Sequence, residues 1–198
     1  MNIRFPFLAA LLAVLFTACS TDDEEDLEFA DWQQRNEAYF ASLADSLRAK
    51  PSEWLRIKKY SLVDSVEAAA DEYVYVRKLK MSESAESPMS TDSVRVIYEG
   101  RLIPSATYPT GYVFDGTVYN GFDSSRNGNT KFLLSAMNDG FLTALLHMHR
   151  GDEWRIFVPA KLGYGSTANG SIPAHSTLIF DVALIDFAPA GHALDPWN

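Results

Sequence analysis

Residues 139–165 read DGFLTALLHMHRGDEWRIFVPAKLGYG, and residues 171–186 read SIPAHSTLIFDVALID. The pattern of the first stretch predicts a short apolar helix, a glycine turn, a strand that ends at a proline, and a Tyr-Gly loop. The second stretch ends in a strand of alternating character. Aromatic and aliphatic side chains therefore converge from several elements, as an apolar binding cleft requires. Neither stretch contains a phosphate loop, metal-ligand spacing or a nucleophile motif.

The composition around these stretches is that of a globular chain. The 198 residues are 47% hydrophobic and 22% charged, which predicts one domain of ordinary size with extensions. The formal net charge of -9 argues against a nucleic-acid partner, because phosphate binding needs a clustered basic face. No cofactor is expected from any motif in the chain.

The N-terminus has the layout of a targeting segment. Arg4 precedes an apolar run over residues 5–16, which is too short to span a bilayer. Residues 1–18 resemble a bacterial lipoprotein signal peptide, in which Cys19 would be lipidated and hold the chain on a membrane. The alternative is ordinary cleavage that leaves Cys19, the only cysteine, as a free thiol.

An acidic tether is predicted over residues 19–26, because the run STDDEED after Cys19 repels itself and stays extended. The run also resembles the acidic export signal that some Gram-negative lineages place after the lipidated cysteine. We therefore expect an outer-membrane lipoprotein of the cell envelope, with exposure at the cell surface as a further hypothesis.

A helical N-terminal extension is predicted over residues 27–71. Its apolar residues recur at three- and four-residue steps along one stripe: Phe29, Trp32, Tyr39, Phe40, Leu43 and Leu47. Pro51 ends this helix, and Trp54, Leu55, Ile57 and Tyr60 suggest another helical turn or two. We favour packing of the stripe on the main domain, with dimerisation as the alternative.

The pattern then changes to the period of two that is typical of strands. YVYVRKLK over residues 73–80 alternates, and from residue 94 Val94, Val96 and Tyr98 share one face. Tyr98 therefore points with core valines, so its hydroxyl needs a partner or borders a cleft.

Five motifs now occur in order: VRVIYEGRL, a Phe-Asp pair, Gly-Phe-x-x-Ala-Leu-x-x-Met-x-x-Gly, PAKLGYG and IPAHSTLIFDVAL. Over about residues 72–187 the chain resembles the FKBP-type peptidyl-prolyl cis-trans isomerase family. The resemblance implies an α+β fold, in which an antiparallel sheet wraps around one short helix and an apolar pocket holds a prolyl side chain. Residues 188–198 would be a C-terminal tail.

The resemblance also implies a set of pocket residues. They are Tyr98 on a strand, a Phe-Asp pair, Phe141 as the aromatic floor, Tyr164 aimed at a substrate carbonyl, Ile172, and Phe180 on the last strand. Met137 and Asn138 stand where the family usually has aliphatic residues, which makes the pocket more polar. The backbone amide of Asn138 is still expected to donate to a substrate carbonyl.

Two Phe-Asp pairs compete for the place in the pocket. Phe122-Asp123 has the family's wording, FDSSR, whereas Phe114-Asp115 follows Gly111 at the spacing of a hairpin turn. We favour Phe114 and Asp115, because turn spacing is a geometric constraint, and keep Phe122 and Asp123 as the alternative. Either choice leaves an insertion near the rim of the pocket.

The predicted activity is rotation about X-Pro bonds of proline-containing polypeptides outside the cytoplasm, on a membrane through the lipid anchor. The alternative is a non-catalytic peptide-binding or chaperone module of the same fold. The more polar pocket expected from Met137 and Asn138 favours this alternative.

Overall fold

The structure, a computed structural model, describes residues 28–63, 65–118, 122–125, 128–194 and 196. The chain divides into two compact units, residues 1–30 and residues 31–198, and the second unit carries the fold described here. The predicted signal peptide, Cys19 and the acidic tether lie outside the described residues.

The first helix, α1, spans Trp32–Ala49. It begins later than the predicted residue 27, after Asp31 in a left-handed backbone conformation, and it ends just before Pro51. Its buried side chains are Trp32, Asn36, Phe40 and Leu43, which lie on one face at the predicted helical spacing. None of the helices in the described ranges is long and apolar enough to cross a membrane.

Within the described residues, seven strands form one antiparallel sheet. In chain order they are β1 (Trp54–Lys58), β2 (Tyr73–Lys80), β3 (Ser93–Arg101), β4 (Val113–Gly116), β5 (Thr130–Leu133), β6 (Glu153–Val158) and β7 (Leu178–Ala188). Their order across the sheet is β1-β2-β6-β7-β3-β4, and β5 also pairs with β3. Strands far apart in sequence, β3 and β7, therefore lie side by side at the centre.

Two short strands share one edge of β3. β4 pairs with the end of β3 at Glu99 to Arg101, and β5 pairs with its start at Ser93 to Val96. The predicted rim insertion lies between β4 and β5 in sequence. The connection from β3 to β4 makes a turn at Gly111, with φ 90, where an added Cβ would lie 2.1 Å from the Leu102 carbonyl oxygen.

The second helix, α2 (Asp139–Leu145), covers one face of the sheet, which we call the pocket face. Gly140 permits the close approach, because a Cβ there would lie 2.2 Å from Cγ1 of Val158. Alternation along the strands then places Ile156, Phe180 and Tyr98 on this same face. The sheet and its short helix are the predicted architecture.

The opposite face, which we call the α1 face, is covered by the N-terminal helix. Phe40 packs edge-on against Tyr75 at a ring-centroid distance of 5.3 Å, and Tyr39 lies 6.4 Å from Phe157. The apolar stripe of α1 thus packs on the sheet. Dimerisation through those buried residues is not needed to cover it.

Residues 54–58 correct the sequence analysis, which predicted helical turns there. They form the edge strand β1, with Trp54 opposite Arg77 and Lys58 opposite Tyr73. Trp54, Ile57 and Tyr60 recur at steps of three and so imitate a helix. Pairing with β2 and stacking of Trp54 on Phe157 at 5.4 Å override that local pattern.

A buried ion network crosses the α1 face between β3, β6 and β7. Arg155 donates to Asp181 at 2.6 and 3.0 Å, and Arg101 donates to Asp181 and to Glu99, both at 2.6 Å. Asp181 is buried, so two guanidinium partners are what makes its charge tolerable there. The network ties together the backbones of the strands that carry Tyr98 and Phe180 on the pocket face.

Candidate functional site

Five aromatic rings meet on the pocket face: Tyr98, Phe114, Phe132, Phe141 and Phe180, which we call the aromatic cluster. The Phe141 ring lies 4.9 Å from Phe180, and Phe114 stands edge-on to Phe180 at 5.7 Å. Phe132 lies 5.3 Å from Tyr98 and 6.1 Å from Phe141. The edge-on contacts are favourable arrangements for aromatic side chains. Four of these rings, Tyr98, Phe114, Phe141 and Phe180, are the ones predicted from the sequence.

The approach of Phe114 to Phe180 depends on a glycine between them. Gly100 on β3 pairs with Phe180 on β7 and with Asp115 on β4. A Cβ at Gly100 would lie 2.6 Å from the Phe114 ring and 2.9 Å from the Phe180 ring. No other residue leaves room for both rings at this point.

Asp115 binds the hydroxyl of Tyr98. The Tyr98 hydroxyl donates to Oδ2 of Asp115 at 2.6 Å, a short charge-assisted bond. Burial first, and then the hydrogen bond and charge of Asp115, raise the pKa of Tyr98 well above its ordinary value. Tyr98 therefore stays neutral, and its hydroxyl is fixed as a donor. This answers the requirement that its buried hydroxyl find a partner.

The floor of the site is the start of α2. Asn138 caps the helix, because its Oδ1 accepts from the Phe141 amide at 2.9 Å. The cap replaces the aliphatic side chain expected from the resemblance and fixes the first turn that carries Phe141. Met137 is half-buried against the core beside it. Capping is thus a structural reason for the polar residue at position 138.

The rim is formed by the chain between β6 and β7. Tyr164 is 40% exposed, and Ile172 is buried. Among the groups that raise the pKa of Tyr98, the Tyr164 phenol makes the smallest contribution. Gly165, at φ 63, makes the turn after Tyr164 and donates to the Ala160 carbonyl at 2.8 Å.

The structure places the two Phe-Asp pairs on different sides of the sheet. Phe114 and Asp115 join the aromatic cluster, as described. Phe122 packs instead with Ile97, Val118 and Ala183, a separate apolar group. Ile97 and Ala183 alternate with Tyr98 and Val182 and so lie on the α1 face. Asp123 accepts from the amide and hydroxyl of Ser125, at 2.9 and 2.6 Å. The geometry therefore brings Phe122 and Asp123 to neither the cluster nor Tyr98.

Phe132 is the ring that sequence reasoning missed. It lies on β5, a strand of four residues, where TKFL gives too little alternation to assign a face. Its position follows from register, since Phe132 pairs with Val94, and Val94 is a core residue of the pocket face. No local signal marks it, because its strand partner is far away in sequence.

The assembled site is apolar with one polar edge. Phe141, Phe180 and Ile172 are apolar side chains of the core, and the hydrogen-bonded Tyr98-Asp115 pair forms the polar edge. Within the residues that the structure describes, no group of three His, Cys, Asp or Glu side chains could hold a metal ion. Such a site can bind an apolar group beside a carbonyl, and its polar groups can orient that carbonyl.

Three comparisons place this geometry among known proteins. The sequence model of the family described as FKBP-type peptidyl-prolyl cis-trans isomerase matches residues 84–185. These residues include all five rings of the aromatic cluster, Asp115, Tyr164 and Ile172. The matched segment is more than half of the 198 residues.

Curated relatives carry related names. A macrophage infectivity potentiator of Trypanosoma cruzi is 45% identical over 85 residues, 41% of this chain and 42% of that protein. An FKBP-type 22 kDa peptidyl-prolyl cis-trans isomerase of Escherichia coli is 39% identical over 102 residues, 50% of this chain and 43% of that protein. The chain thus spans less than half the length of these relatives.

Solved structures share the fold. A peptidyl-prolyl cis-trans isomerase from Pseudomonas syringae superposes with a TM-score of 0.55 at 23% identity, covering 81% of this chain and 96% of that one. FkpA from Escherichia coli gives 0.51 at 24% identity, covering 81% and 65%. At this level of identity the likeness concerns the fold alone.

Proposed function

Because the chain belongs to the FKBP-type peptidyl-prolyl cis-trans isomerase family, we propose that it accelerates cis-trans rotation about X-Pro bonds of polypeptide clients. The observation that carries the proposal is the aromatic cluster with its Tyr98-Asp115 hydrogen bond. The cluster lies within the segment matched by the family, and it gathers the apolar side chains that a site for a prolyl ring needs.

The reaction needs no acid, base or nucleophile. Its barrier, about 18–20 kcal/mol, comes from amide resonance, which is lost when the bond is twisted. A site that binds the twisted amide more tightly than the planar one lowers this barrier. Phe141, Phe180 and Ile172 would hold the prolyl ring and remove water from the amide, whose twisted form is the less polar one.

The polar edge would orient the peptide. Tyr164 and the backbone amide of Asn138 are the proposed donors to substrate carbonyls. A donor in a site from which water is excluded contributes more than the same donor in water. Asp115 acts through Tyr98, because its hydrogen bond fixes the hydroxyl and the strand edge that carries Phe114.

The test is the cis-to-trans rate of a short X-Pro-Phe peptide with the chain from residue 20 onward. The matched control is the double variant Tyr164→Ala, Phe180→Ala, checked for folding by circular dichroism. Acceleration that the variant loses supports an isomerase that uses this site. A folded parent chain without acceleration would instead leave a peptide-binding module of the same fold.

We also propose that Cys19 is lipidated and anchors the chain in the cell envelope, at the outer membrane. Support comes from the sequence alone: the apolar run before Cys19 and the acidic run after it. Labelled palmitate should enter the parent chain in a bacterial host and not the Cys19→Ser variant. Protease accessibility on intact cells then distinguishes the cell surface from the inner leaflet. Equal labelling of both chains, or none, contradicts lipidation.

A further inference from the structure

α1 is hydrogen-bonded to the segment that carries Tyr164 and Ile172, two rim residues of the site. The indole nitrogen of Trp32 donates to the Ser176 hydroxyl at 2.9 Å, and Oδ1 of Asn36 accepts from the Thr177 amide at 2.7 Å. The Thr177 hydroxyl donates a longer hydrogen bond, of 3.4 Å, to the Asn36 carbonyl. All four residues are buried, so these bonds form away from water, where leaving a partner unsatisfied is costly.

The segment bonded to α1 runs from Tyr164 to Thr177, and we call it the rim loop. Its internal bonds are local: Asn169 and Ile172 exchange backbone hydrogen bonds at 2.9 and 3.0 Å, and the His175 amide donates to the Gly165 carbonyl at 2.8 Å. The last bond joins the two ends of the loop. Whatever fixes His175 therefore also fixes the turn that follows Tyr164.

His175 has a backbone conformation that needs external support. Its φ of 62 lies in the left-handed region, which an L-residue adopts only at a cost. Such a conformation persists where the surroundings determine it. The next two residues, Ser176 and Thr177, are bonded to Trp32 and Asn36, so α1 contributes that support, together with the bond of 2.7 Å that the Ser176 hydroxyl donates to the Pro173 carbonyl within the loop.

The hydrogen bonds from Trp32 and Asn36 come from the face of the sheet opposite the aromatic cluster. α1 lies on the α1 face, whereas the aromatic cluster lies on the pocket face, and the rim loop ends directly before β7, the strand that carries Phe180. A cavity of about 460 Å³ separates part of α1 from the loop, with Phe40, Ala41, Gly165 and Ser166 among its lining residues. The loop is therefore not packed against α1 along its whole length, and the buried hydrogen bonds are the defined points of attachment.

We propose that Asn36 is a positioning residue of the site, and that α1 preorganises Tyr164 and Ile172 through Asn36 and Trp32. The inference rests on the proposed isomerase function. Loss of the Asn36 acceptor frees the Thr177 amide and the strained turn before it. The rim loop then samples other conformations, and substrate has to order it on binding, which lowers the rate of the reaction.

The experiment compares Asn36→Leu with Asn36→Asp in the full chain. Both variants lose the Nδ2 donor that now bonds the Trp32 carbonyl at 2.7 Å, but only the aspartate keeps an oxygen for the Thr177 amide. The expected result is a roughly tenfold fall in kcat/KM per folded molecule for Asn36→Leu and a smaller fall for Asn36→Asp, which keeps the acceptor for Thr177 but buries a carboxylate beside the Trp32 carbonyl. Gln34→Leu makes a similar change on the exposed side of α1 and should leave kcat/KM unchanged.

Two further measurements separate a loss of positioning from a loss of folding. Trp32→Phe keeps an aromatic ring and removes the donor to Ser176, so it should lower kcat/KM several-fold with less loss of stability. Hydrogen exchange of the Gly165 and Ile172 amides should quicken in Asn36→Leu and Trp32→Phe but not in Gln34→Leu. If Asn36→Leu and Trp32→Phe both keep the kcat/KM and the hydrogen-exchange rates of the parent chain, the inference is overturned.

The two proposals fail separately. If the parent chain does not accelerate rotation, the proposed function is overturned, and the exchange data alone then support or overturn the positioning role. If the parent is active and Asn36→Leu loses stability but no kcat/KM per folded molecule, α1 is only a packing element.

Discussion

The bond between Tyr98 and Asp115 is the most specific residue-level feature of the site. It joins a buried phenol on β3 to a carboxylate on the neighbouring strand at 2.6 Å. Asp123, by contrast, accepts from Ser125 within its own turn. The two acidic residues of the competing Phe-Asp pairs therefore differ in what their loss would free.

Asp115→Ala should lower kcat/KM by roughly tenfold, because it releases the Tyr98 hydroxyl beside the site. Asp123→Ala is the matched control, with the same atoms removed, and should leave kcat/KM within about twofold. Both are measured with the prolyl peptide, and unfolding in urea corrects for stability. A loss in Asp123→Ala with none in Asp115→Ala would return the second pair to the site.

Tyr98 also predicts a pH dependence of stability. Burial and Asp115 raise its pKa in the folded chain above the ordinary value of 10.0. Above about pH 10 the unfolded chain gives up this proton while the folded chain keeps it, so the free energy of unfolding falls as pH rises. The contribution is complete below pH 10 and is lost as pH rises toward the folded pKa.

The measurement is urea unfolding of the parent chain and Tyr98→Phe from pH 8 to pH 11. Tyr39 has a pKa raised chiefly by burial, so only the difference between the two chains isolates Tyr98. The stability advantage of the parent should be constant to about pH 10 and then shrink by up to about 1.4 kcal/mol per pH unit. Parallel curves over the whole range would mean that Asp115 and burial do not hold the proton.

Sequence reasoning reached the residues of the site whose motifs are long. Tyr98, Phe141, Tyr164 and Phe180 each lie in a motif of seven or more residues, and the rings of Tyr98, Phe141 and Phe180 lie together on one side of the sheet. Phe132 was not predicted, because β5 is short and the face on which Phe132 lies is set by pairing with Val94, which is far away in sequence. Local pattern cannot supply register of that kind.

At the scale of the elements, alternation decided most strands and failed at β1. The prediction of residues 73–80 as a strand is confirmed to the residue. Its first half is buried on both faces, with Val74, Tyr75 and Val76 all buried, so the observed burial alternates less than a half-buried strand would. β1 contains Trp54 and Ile57 at a helical step, and its state is decided by the free edge of β2, which the local sequence does not reveal. The helix α1 was found from its stripe, yet its start at Trp32 depends on Asp31 and not on periodicity.

The close packing of β3, β4 and β7 yields an element-level prediction. Gly100→Ala would place a methyl group 2.6 Å from the Phe114 ring and 2.9 Å from the Phe180 ring, so Phe114 must move outward. We expect a stability loss of about 1–3 kcal/mol and a several-fold fall in kcat/KM. The edge of the cleft would open because β4 can no longer hold its ring over Phe180.

Gly128→Ala is the matched control, since a Cβ at Gly128 meets nothing within 4 Å. Both substitutions reduce the freedom of the unfolded chain to a similar extent, so their difference reports the folded state. Stability is measured by urea unfolding and activity with the prolyl peptide. Equal behaviour of the two variants would show that β3 and β4 separate at little cost.

At the scale of the whole molecule, α1 and the sheet share one core. Phe40 on α1 is buried against Tyr75 on β2, and the same core continues to Phe141 and Phe180 on the pocket face. An appended helix that only tethered the domain would unfold on its own. Residues that share a core with the sheet should instead unfold with it.

Phe40→Ala should therefore destabilise the entire unit of residues 31–198, by about 3 kcal/mol or more for a buried phenylalanine. Far-UV circular dichroism and tryptophan fluorescence should still give coincident urea transitions at a lower midpoint, because helix and sheet are lost together. Gln34→Ala, on the exposed side of the same helix, should leave the midpoint unchanged. Two separated transitions, with the helical signal lost first, would contradict a shared core. They would also weaken the argument that α1 holds the rim loop, since a helix that melts independently cannot fix Thr177 through Asn36 in the folded, active chain.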